Sequence, residues 1–320
     1  MILLEQKNVF TFTKPEVTMK KTVIFLLIFI SHALYSQSRP IESIPFELEK
    51  NHIFIYIKVN KIDSLKFLFD TGANGTCINK EAVGKAKLKI DGISTNMGSN
   101  GTNEVEESSG NDIFIGNIHK KGVILAIIEI GSTSIDGVMG TDLMSEHIIE
   151  IDYQKQMINF YDENDKTINY KDYTKLKMSD AVYPTCVKST IIVDGKKHIG
   201  LFGIDTGAQD ALTLASPFTK KNNFIAKTKK IGAVHFQGSD GSKYKLPVSC
   251  PEVLFAGKHL YNIPTALSNS TEGIDATDKL AGFFGNAFLK KFDIILDYKN
   301  HFIYFKINKN LYSDFYEIKE

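Results

Sequence analysis

Apolar positions in this chain gather in short runs of β-branched and aromatic residues, and polar turns separate the runs. Ile53-Phe54-Ile55-Tyr56-Ile57-Lys58-Val59 is one such run, and Leu65 to Phe69 follows it after a polar turn. Thr190 to Val193 and Ile199 to Ile204 flank Asp194-Gly195, a strong hairpin signal. Ile113 to Ile115, Val123 to Ile128, Met157 to Tyr161, Val253 to Phe255 and Phe302 to Ile307 read as further strands. Only short helices are predicted, around Lys80 to Lys87, Asp142 to His147 and Asn286 to Lys290. Many short strands with frequent turns predict an all-β protein of barrel or sandwich type.

The pattern occurs twice. Leu68-Phe69-Asp70-Thr71-Gly72-Ala73 returns as Gly203-Ile204-Asp205-Thr206-Gly207-Ala208, at an offset of 135. Gly98-Ser99-Asn100-Gly101 returns as Gly238-Ser239-Asp240-Gly241, at 140. Val138-Met139-Gly140 matches Phe283-Phe284-Gly285, and Ile149 to Tyr153 matches Ile294 to Tyr298, both at 145. The order is kept while the offset grows in two steps of five, as loop insertions in one duplicated unit would produce. The period is far too long for a solenoid, so the repeat predicts two lobes, 37–172 and 173–320. They meet near the polar stretch Asp162 to Lys177.

The first 36 residues follow a different pattern. Lys20 and Lys21 precede eight apolar residues, Val23 to Ile30, and small residues then lead to Gln37. That is the secretory signal pattern, and the run is short for a membrane span. Residues 1–36 are therefore expected to be removed, with translation starting at Met19 and the mature chain starting near Gln37. The expected location is outside the cytoplasm, periplasmic or secreted, with no stable membrane insertion after signal removal. Lys plus Arg is 38 and Asp plus Glu is 37, so no basic excess recruits nucleic acid. Cys77, Cys186 and Cys250 form no CxxC pair, and the histidines His147, His198, His235 and His259 form no HExxH. No metal site, phosphate loop or other cofactor is expected. Cys77 reads as a small buried residue. Cys186 and Cys250 share a lobe and could bridge, which sequence does not decide.

The repeated Asp-Thr-Gly carries the chemistry. Each copy ends a strongly apolar strand on an aspartate, Asp70 or Asp205. Burying a carboxylate is costly unless its charge is paired or used. Gly72 and Gly207 allow the backbone to turn sharply beside the carboxylate. If the two loops face each other, the like charges cannot both ionise and the pair holds one proton. One carboxylate is then a base toward water and the other an acid toward a carbonyl. That arrangement hydrolyses an amide without metal or covalent intermediate.

These residues resemble the aspartic protease superfamily, in which Asp-Thr-Gly loops from two similar lobes form the active site. Asp70-Thr71-Gly72-Ala73-Asn74-Gly75-Thr76 and Ile135-Asp136-Gly137-Val138-Met139-Gly140 are similar to bacterial retropepsin-like domains, and Gly285-Asn286-Ala287-Phe288-Leu289 to the short helix that follows the same glycine. The resemblance spans about Phe46 to Ile307. It implies a two-lobed acid-protease-like β-barrel fold with pseudo-two-fold symmetry, complete as a monomer, that cleaves peptide or protein substrates. It implies Asp70 and Asp205 as the catalytic pair, Thr71 and Thr206 as the residues locking the loops together, and Gly72 and Gly207 as main-chain donors to the carboxylates. It further implies Gly-rich flaps over the cleft, at Gly98 and Gly101 and at Gly238 and Gly241, where the residues by themselves fit a mobile surface hairpin equally well. Val138, Met139, Phe283 and Phe284 either border the cleft or pack in the core. Pepsin-type members carry a hydroxyl residue after each triplet, where this chain has Ala73 and Ala208. Losing that bond raises the carboxylate pKa, so a mildly acidic optimum is expected. Asp136 has Ala281 as its counterpart and reads as a turn or cap. Asn74-Gly75-Thr76 is a glycosylation sequon beside the active site, which favours a bacterial source. Two rival readings remain at this stage, a catalytically silent peptide-binding protein on the same fold and a purely structural envelope protein with separated carboxylates.

Overall fold

The apolar runs become strands because alternate side chains find a common interior. Ile53, Ile55, Ile57 and Val59 are buried, whereas Tyr56 between them is exposed, the two-residue period of a half-buried strand. The structure is a computed structural model that describes residues 38–98, 101–230, 232–237, 243–249 and 251–315. Residues 40–164 and 170–315 form one body. Ser38, Arg39 and residues 165–169 belong to a second small unit, in which the Ser38 hydroxyl donates to Asp165 Oδ2 at 2.6 Å. The signal segment and the proposed start at Gln37 lie outside the described residues.

The first lobe is a closed circuit of strands. His52–Val59 pairs with Ile62–Phe69, then follow Gly137–Met139, Cys77–Asn79, Ile118–Ile128 and Thr102–Ile115. Thr102–Ile115 pairs back to His52–Val59 through Lys58↔Phe114 and Val59↔Ile113. The second lobe repeats the circuit with Cys186–Val193, Lys196–Asp205, Gly282–Gly285, Leu212–Leu214, Thr265–Leu267 and Lys243–Ser249. Its return strand comes in two pieces, and the second piece, Glu252–Phe255, closes onto Cys186–Val193 through Thr190↔Leu254.

A six-stranded sheet joins the lobes in the order Glu42–Pro45, Met157–Asp162, His147–Asp152, Phe292–Asp297, Phe302–Ile307, Thr174–Ser179. At its centre Glu150 stands opposite Ile295, with Ile149↔Leu296 and Ile151↔Ile294 on either side. Ile295 is the repeat counterpart of Glu150, so a pseudo-two-fold axis passes between them. The core beneath the second lobe is aromatic. Phe255 lies 4.7–5.4 Å, centre to centre, from the rings of Phe284, Phe288, Phe292 and Phe305.

The helices depart from expectation in places. Asp142 to His147 is one 3-10 turn, Thr141–Leu143, and His147 already begins a strand opposite Asp162. The buried side chains of Ile148, Ile149 and Ile151 draw this segment into the joining sheet. Lys80 to Lys87 splits into the 3-10 turn Lys80–Ala82 and the helix Val83–Ala86, capped by Lys87 at φ 53°. Asn286–Leu289 is helical. Two helices, Ser216–Asn222 and Phe224–Lys227, were not foreseen. Among the described residues no helix is long and apolar enough to cross a membrane.

Candidate active site

Each triplet is held by a parallel neighbour and the turn that follows it. Phe67↔Gly137 and Phe69↔Met139 lead to Asp70, whose N–H donates to the Met139 carbonyl at 3.0 Å. Asp205 ends its strand opposite Gly285. A Cβ at Gly140 would press on the carbonyls of Gly75 and Ala73, and one at Gly285 on those of Asp210 and Ala208. With glycine there, the next N–H reaches the triplet loop. Thr141 N–H donates to Ala73 O at 2.9 Å, and Asn286 N–H to Ala208 O at 2.7 Å. This is the physical role of the repeated hydrophobic-hydrophobic-glycine.

The two loops then grip each other. The Thr71 hydroxyl donates to the Ile204 carbonyl at 2.7 Å and accepts the Thr206 N–H at 3.1 Å. The Thr206 hydroxyl donates to the Phe69 carbonyl at 2.7 Å and accepts the Thr71 N–H at 3.1 Å. Both threonines are fully buried, so these four bonds cannot be exchanged for bonds to water. The grip sets the Asp70 and Asp205 carboxyl groups side by side, close enough for each to perturb the other. Gly72 N–H donates to Asp70 Oδ1 at 2.7 Å, and Ala208 N–H to Asp205 Oδ1 at 2.9 Å. A Cβ at Gly207 would run into the Asp70 carboxyl, and one at Gly72 into the Asp205 carboxyl and the Tyr183 hydroxyl. Each glycine therefore makes room for the other lobe's acid. Contact between the acids runs against a purely structural protein, which requires them apart.

Burial and the neighbouring charge of Asp205 push Asp70 well above the usual carboxylate range. Burial also raises Asp205, against the opposing pull of donors from Tyr183 and Ala208. A third acid stands close by. Asp210 is buried beside Asp205, its Oδ2 accepts no hydrogen bond among the described residues, and burial with the Asp205 charge raises it to about 6. Tyr183, Asp205, Ala208, Asp210, Thr213, Phe283 and neighbours line a small pocket on this side.

Neither Tyr183 nor Asp210 was singled out from sequence. Asp210 follows its triplet closely, so a search for acids near Asp205 could have found it. Tyr183 lies 22 residues before Asp205, and no spacing marks it. The hydroxyl missing at Ala208 is supplied by this tyrosine, whose Oη donates to Asp205 Oδ2 at 2.9 Å.

The first Gly-rich hairpin joins Gly92–Met97 to Thr102–Ile115, and Gly98 N–H donates to the Gly101 carbonyl at 2.9 Å. Its tip reaches the second lobe, since Ile274 N–H donates to Gly98 O at 3.2 Å. The strands Gly232–Gln237 and Lys243–Ser249 form the matching hairpin. Gly238 and Gly241 lie outside the described residues. Met139 and Phe284 are core residues, whereas Phe283 lines the pocket and packs on Tyr183 at 4.9 Å. Asp136 is structural, as its Oδ2 accepts the Lys66 N–H at 2.8 Å and pairs with Lys85 at 2.6 Å. Cys77 and Cys186 are free buried thiols pushed up to about 12 by burial, and Cys250 lies outside the described residues. Among the described residues no cluster of His, Cys, Asp or Glu could hold a metal ion.

Residues 55–143, most of the first lobe, match the family model described as aspartyl protease. No curated protein matches the chain. Among solved structures, an aspartic proteinase from Irpex lacteus superposes with a TM-score of 0.53 at 11% identity, covering 85% of this chain and 98% of its own. At that identity the likeness is one of fold, and it extends over both lobes.

Two outcomes follow from this geometry. Thr71→Val leaves the Ile204 carbonyl and Thr206 N–H unpaired in a dry interior. Urea unfolding should register a loss of about 1–3 kcal/mol for each orphaned group, while Thr71→Ser retains most of the stability. Asp210 ionises at about 6 when folded and near 3.9 when unfolded. The folded state holds this proton more tightly, so the stability it lends is complete below about pH 4 and declines as pH rises through 6. Over that interval Asp210→Asn should flatten the fall in unfolding free energy by about 2 kcal/mol.

Proposed function

We propose that this chain, whose first lobe matches the aspartyl protease family model and whose fold is that of an aspartic proteinase, is an exported endopeptidase in which Asp70 and Asp205 share one proton and activate water. The observation that carries this reading is the close approach of two half-buried carboxyl groups, one from each repeat, across the crossed threonine bonds. Two like charges in that space would repel strongly, so a single shared proton is the stable state over the working pH range.

Substrate enters as an extended strand between the lobes, held by main-chain hydrogen bonds with side chains in alternate pockets. The ionised carboxyl takes a proton from water, and the water oxygen bonds to the scissile carbonyl carbon. The carbonyl oxygen takes the proton of the other carboxyl, which leaves a neutral gem-diol. One diol hydroxyl then returns its proton to that second carboxyl. The first delivers its own proton to the amide nitrogen, and the carbon–nitrogen bond breaks to give an acid and an amine. The pair ends as it began, holding one proton. The first hairpin, reaching from Gly98 to Ile274, supports a role as a flap that excludes water during these steps.

Burial raises both carboxyls. Activity needs one of them ionised and one protonated, so these directions favour a mildly acidic optimum over a strongly acidic one. Both acids are intact and in contact, which favours catalysis over a silent peptide binder. Export rests on the pattern from Lys20 through Gln37, and it suits an enzyme whose peptide substrates lie outside the cytoplasm.

Asp70→Asn and Asp205→Asn should each lower kcat/KM on fluorescently labelled casein by about 10³-fold or more with the fold unchanged by circular dichroism. Normal cleavage by either pure variant contradicts the proposal. Expressed in a Gram-negative host, the chain should be recovered from the periplasm or medium with an N-terminus near Gln37 by N-terminal sequencing. Recovery of the uncut chain from the cytoplasm contradicts the export assignment.

A further inference from the structure

The two carboxyl groups come from a duplicated unit, yet they do not receive the same donors. Asp205 has a partner on each oxygen, Ala208 N–H on Oδ1 at 2.9 Å and the Tyr183 hydroxyl on Oδ2 at 2.9 Å. Apart from Asp205 itself, the partners that Asp70 has among the described residues are main-chain N–H groups, from Gly72 at 2.7 Å on Oδ1 and from Ala73. The strand registers Phe54↔Leu68 and Cys186↔Gly203 place Asn51 at the first-lobe position that answers to Tyr183. Asn51 does not turn to Asp70. Its side chain donates to the carbonyls of Gln209, at 3.3 Å, and Phe315, at 2.8 Å. The symmetry of the pair is therefore broken by one hydroxyl.

Tyr183 is held where it is. Its ring packs on Phe283 at 4.9 Å between centroids and lies over Gly203, where a Cβ would meet it at 3.0 Å. The first-lobe counterpart of Gly203 is Leu68, which leaves no such space beside Asp70. The phenol stays protonated, because burial and the charges of Asp205 and Asp70 all push its pKa up. It can thus only donate to the carboxylate.

We propose that Tyr183 is a positioning residue that fixes the negative charge on Asp205 and the shared proton on Asp70, making Asp205 the base toward water and Asp70 the acid toward the carbonyl. The assignment of base and acid rests on the dyad reading above; the location of the proton does not. A hydroxyl donor favours the charged form of the acid it touches, and among the described residues Tyr183 is the hydroxyl that reaches the pair. Burial raises both acids, and at Asp205 the Tyr183 hydroxyl pulls the other way.

Other titratable groups face the pair. Asp70 stands directly opposite Asp205, Asp210 and Asp275 line the pocket beside it, and the His52 ring meets the Gly207 backbone with Lys50 near it. Cys186 donates its thiol to the Tyr183 carbonyl at 3.7 Å. Cys77, Asp142 and Tyr298 lie on the Asp70 side. The test must therefore report on the two acids individually. Tyr183→Phe removes the hydroxyl and retains the ring.

In protein labelled with carboxyl-¹³C aspartate, with signals assigned through Asp70→Asn and Asp205→Asn, the lower titration step of the wild-type pair should belong to Asp205. In Tyr183→Phe that step should rise by about one pH unit. A lower step that belongs to Asp70, or that does not move in Tyr183→Phe, overturns the proposal. This measurement needs no catalysis, so absent cleavage of labelled casein by the wild type refutes the protease reading and leaves the proton assignment to be decided by the spectra. Where casein is cleaved, the acid limb of kcat/KM should move upward by the same amount in Tyr183→Phe. Kinetic results of a different kind, a uniform rise at every pH with no shift of the limb, identify Tyr183 as an obstruction in the cleft and also overturn the assignment.

Discussion

Two fully buried threonines, each donating to a carbonyl of the opposite loop and accepting an N–H from it, hold this molecule's two halves in register at one point. What they hold together would otherwise separate. Asp70 and Asp205 are two half-buried acids side by side, and their repulsion when both are ionised grows as the local dielectric falls. The loops remain in contact because the threonine bonds are internal, and on the proposed reading the pair also keeps a proton. The rest of the fold serves this contact. The parallel strands end on the two acids, Gly140 and Gly285 bring the following turns against the loops, and Gly72 and Gly207 leave room for the opposite carboxyl.

Duplication explains how such a site arises, and on the proposed reading its departures from symmetry divide the roles of acid and base. The joining sheet keeps the two-fold relation at Glu150 and Ile295. Around the acids the relation lapses. Tyr183 bonds Asp205 while Asn51 bonds the main chain, and Asp210 has Gly75 as its counterpart. Hydrolysis of an amide needs an acid and a base at once. A perfectly symmetric pair offers them interchangeably, whereas unequal donors separate the two roles.

The features legible in the sequence were those set by backbone geometry that recurs. Asp-Thr-Gly and hydrophobic-hydrophobic-glycine must be spelled with these residues, because a Cβ at the glycines has nowhere to go. They therefore survived in both copies and could be matched, and the strands around them followed from their β-branched runs. Side chains that reach the site from outside the repeats were not legible. Tyr183 becomes a neighbour of Asp205 only through the pairing of Cys186–Val193 with Lys196–Asp205, and a tyrosine before a proline carries no local mark of that. The helix expected through His147 failed for a similar reason, since pairing with Asp162 and burial of Ile148 and Ile149 outweigh local preference. The helix Ser216–Asn222 has a proline in its first turn, but its Lys-rich, Asn-ended sequence lacks the apolar stripe that would have announced it.

One distance decides whether the two acids form a pair. A crystal structure at a resolution that places carboxyl oxygens and water should find the nearest oxygens of Asp70 and Asp205 within about 3 Å of each other, or both bonded to a single water that faces an open cleft. Carboxyl groups separated by more than one bridging water, or sealed from any groove that an extended peptide could enter, would contradict the proposed dyad.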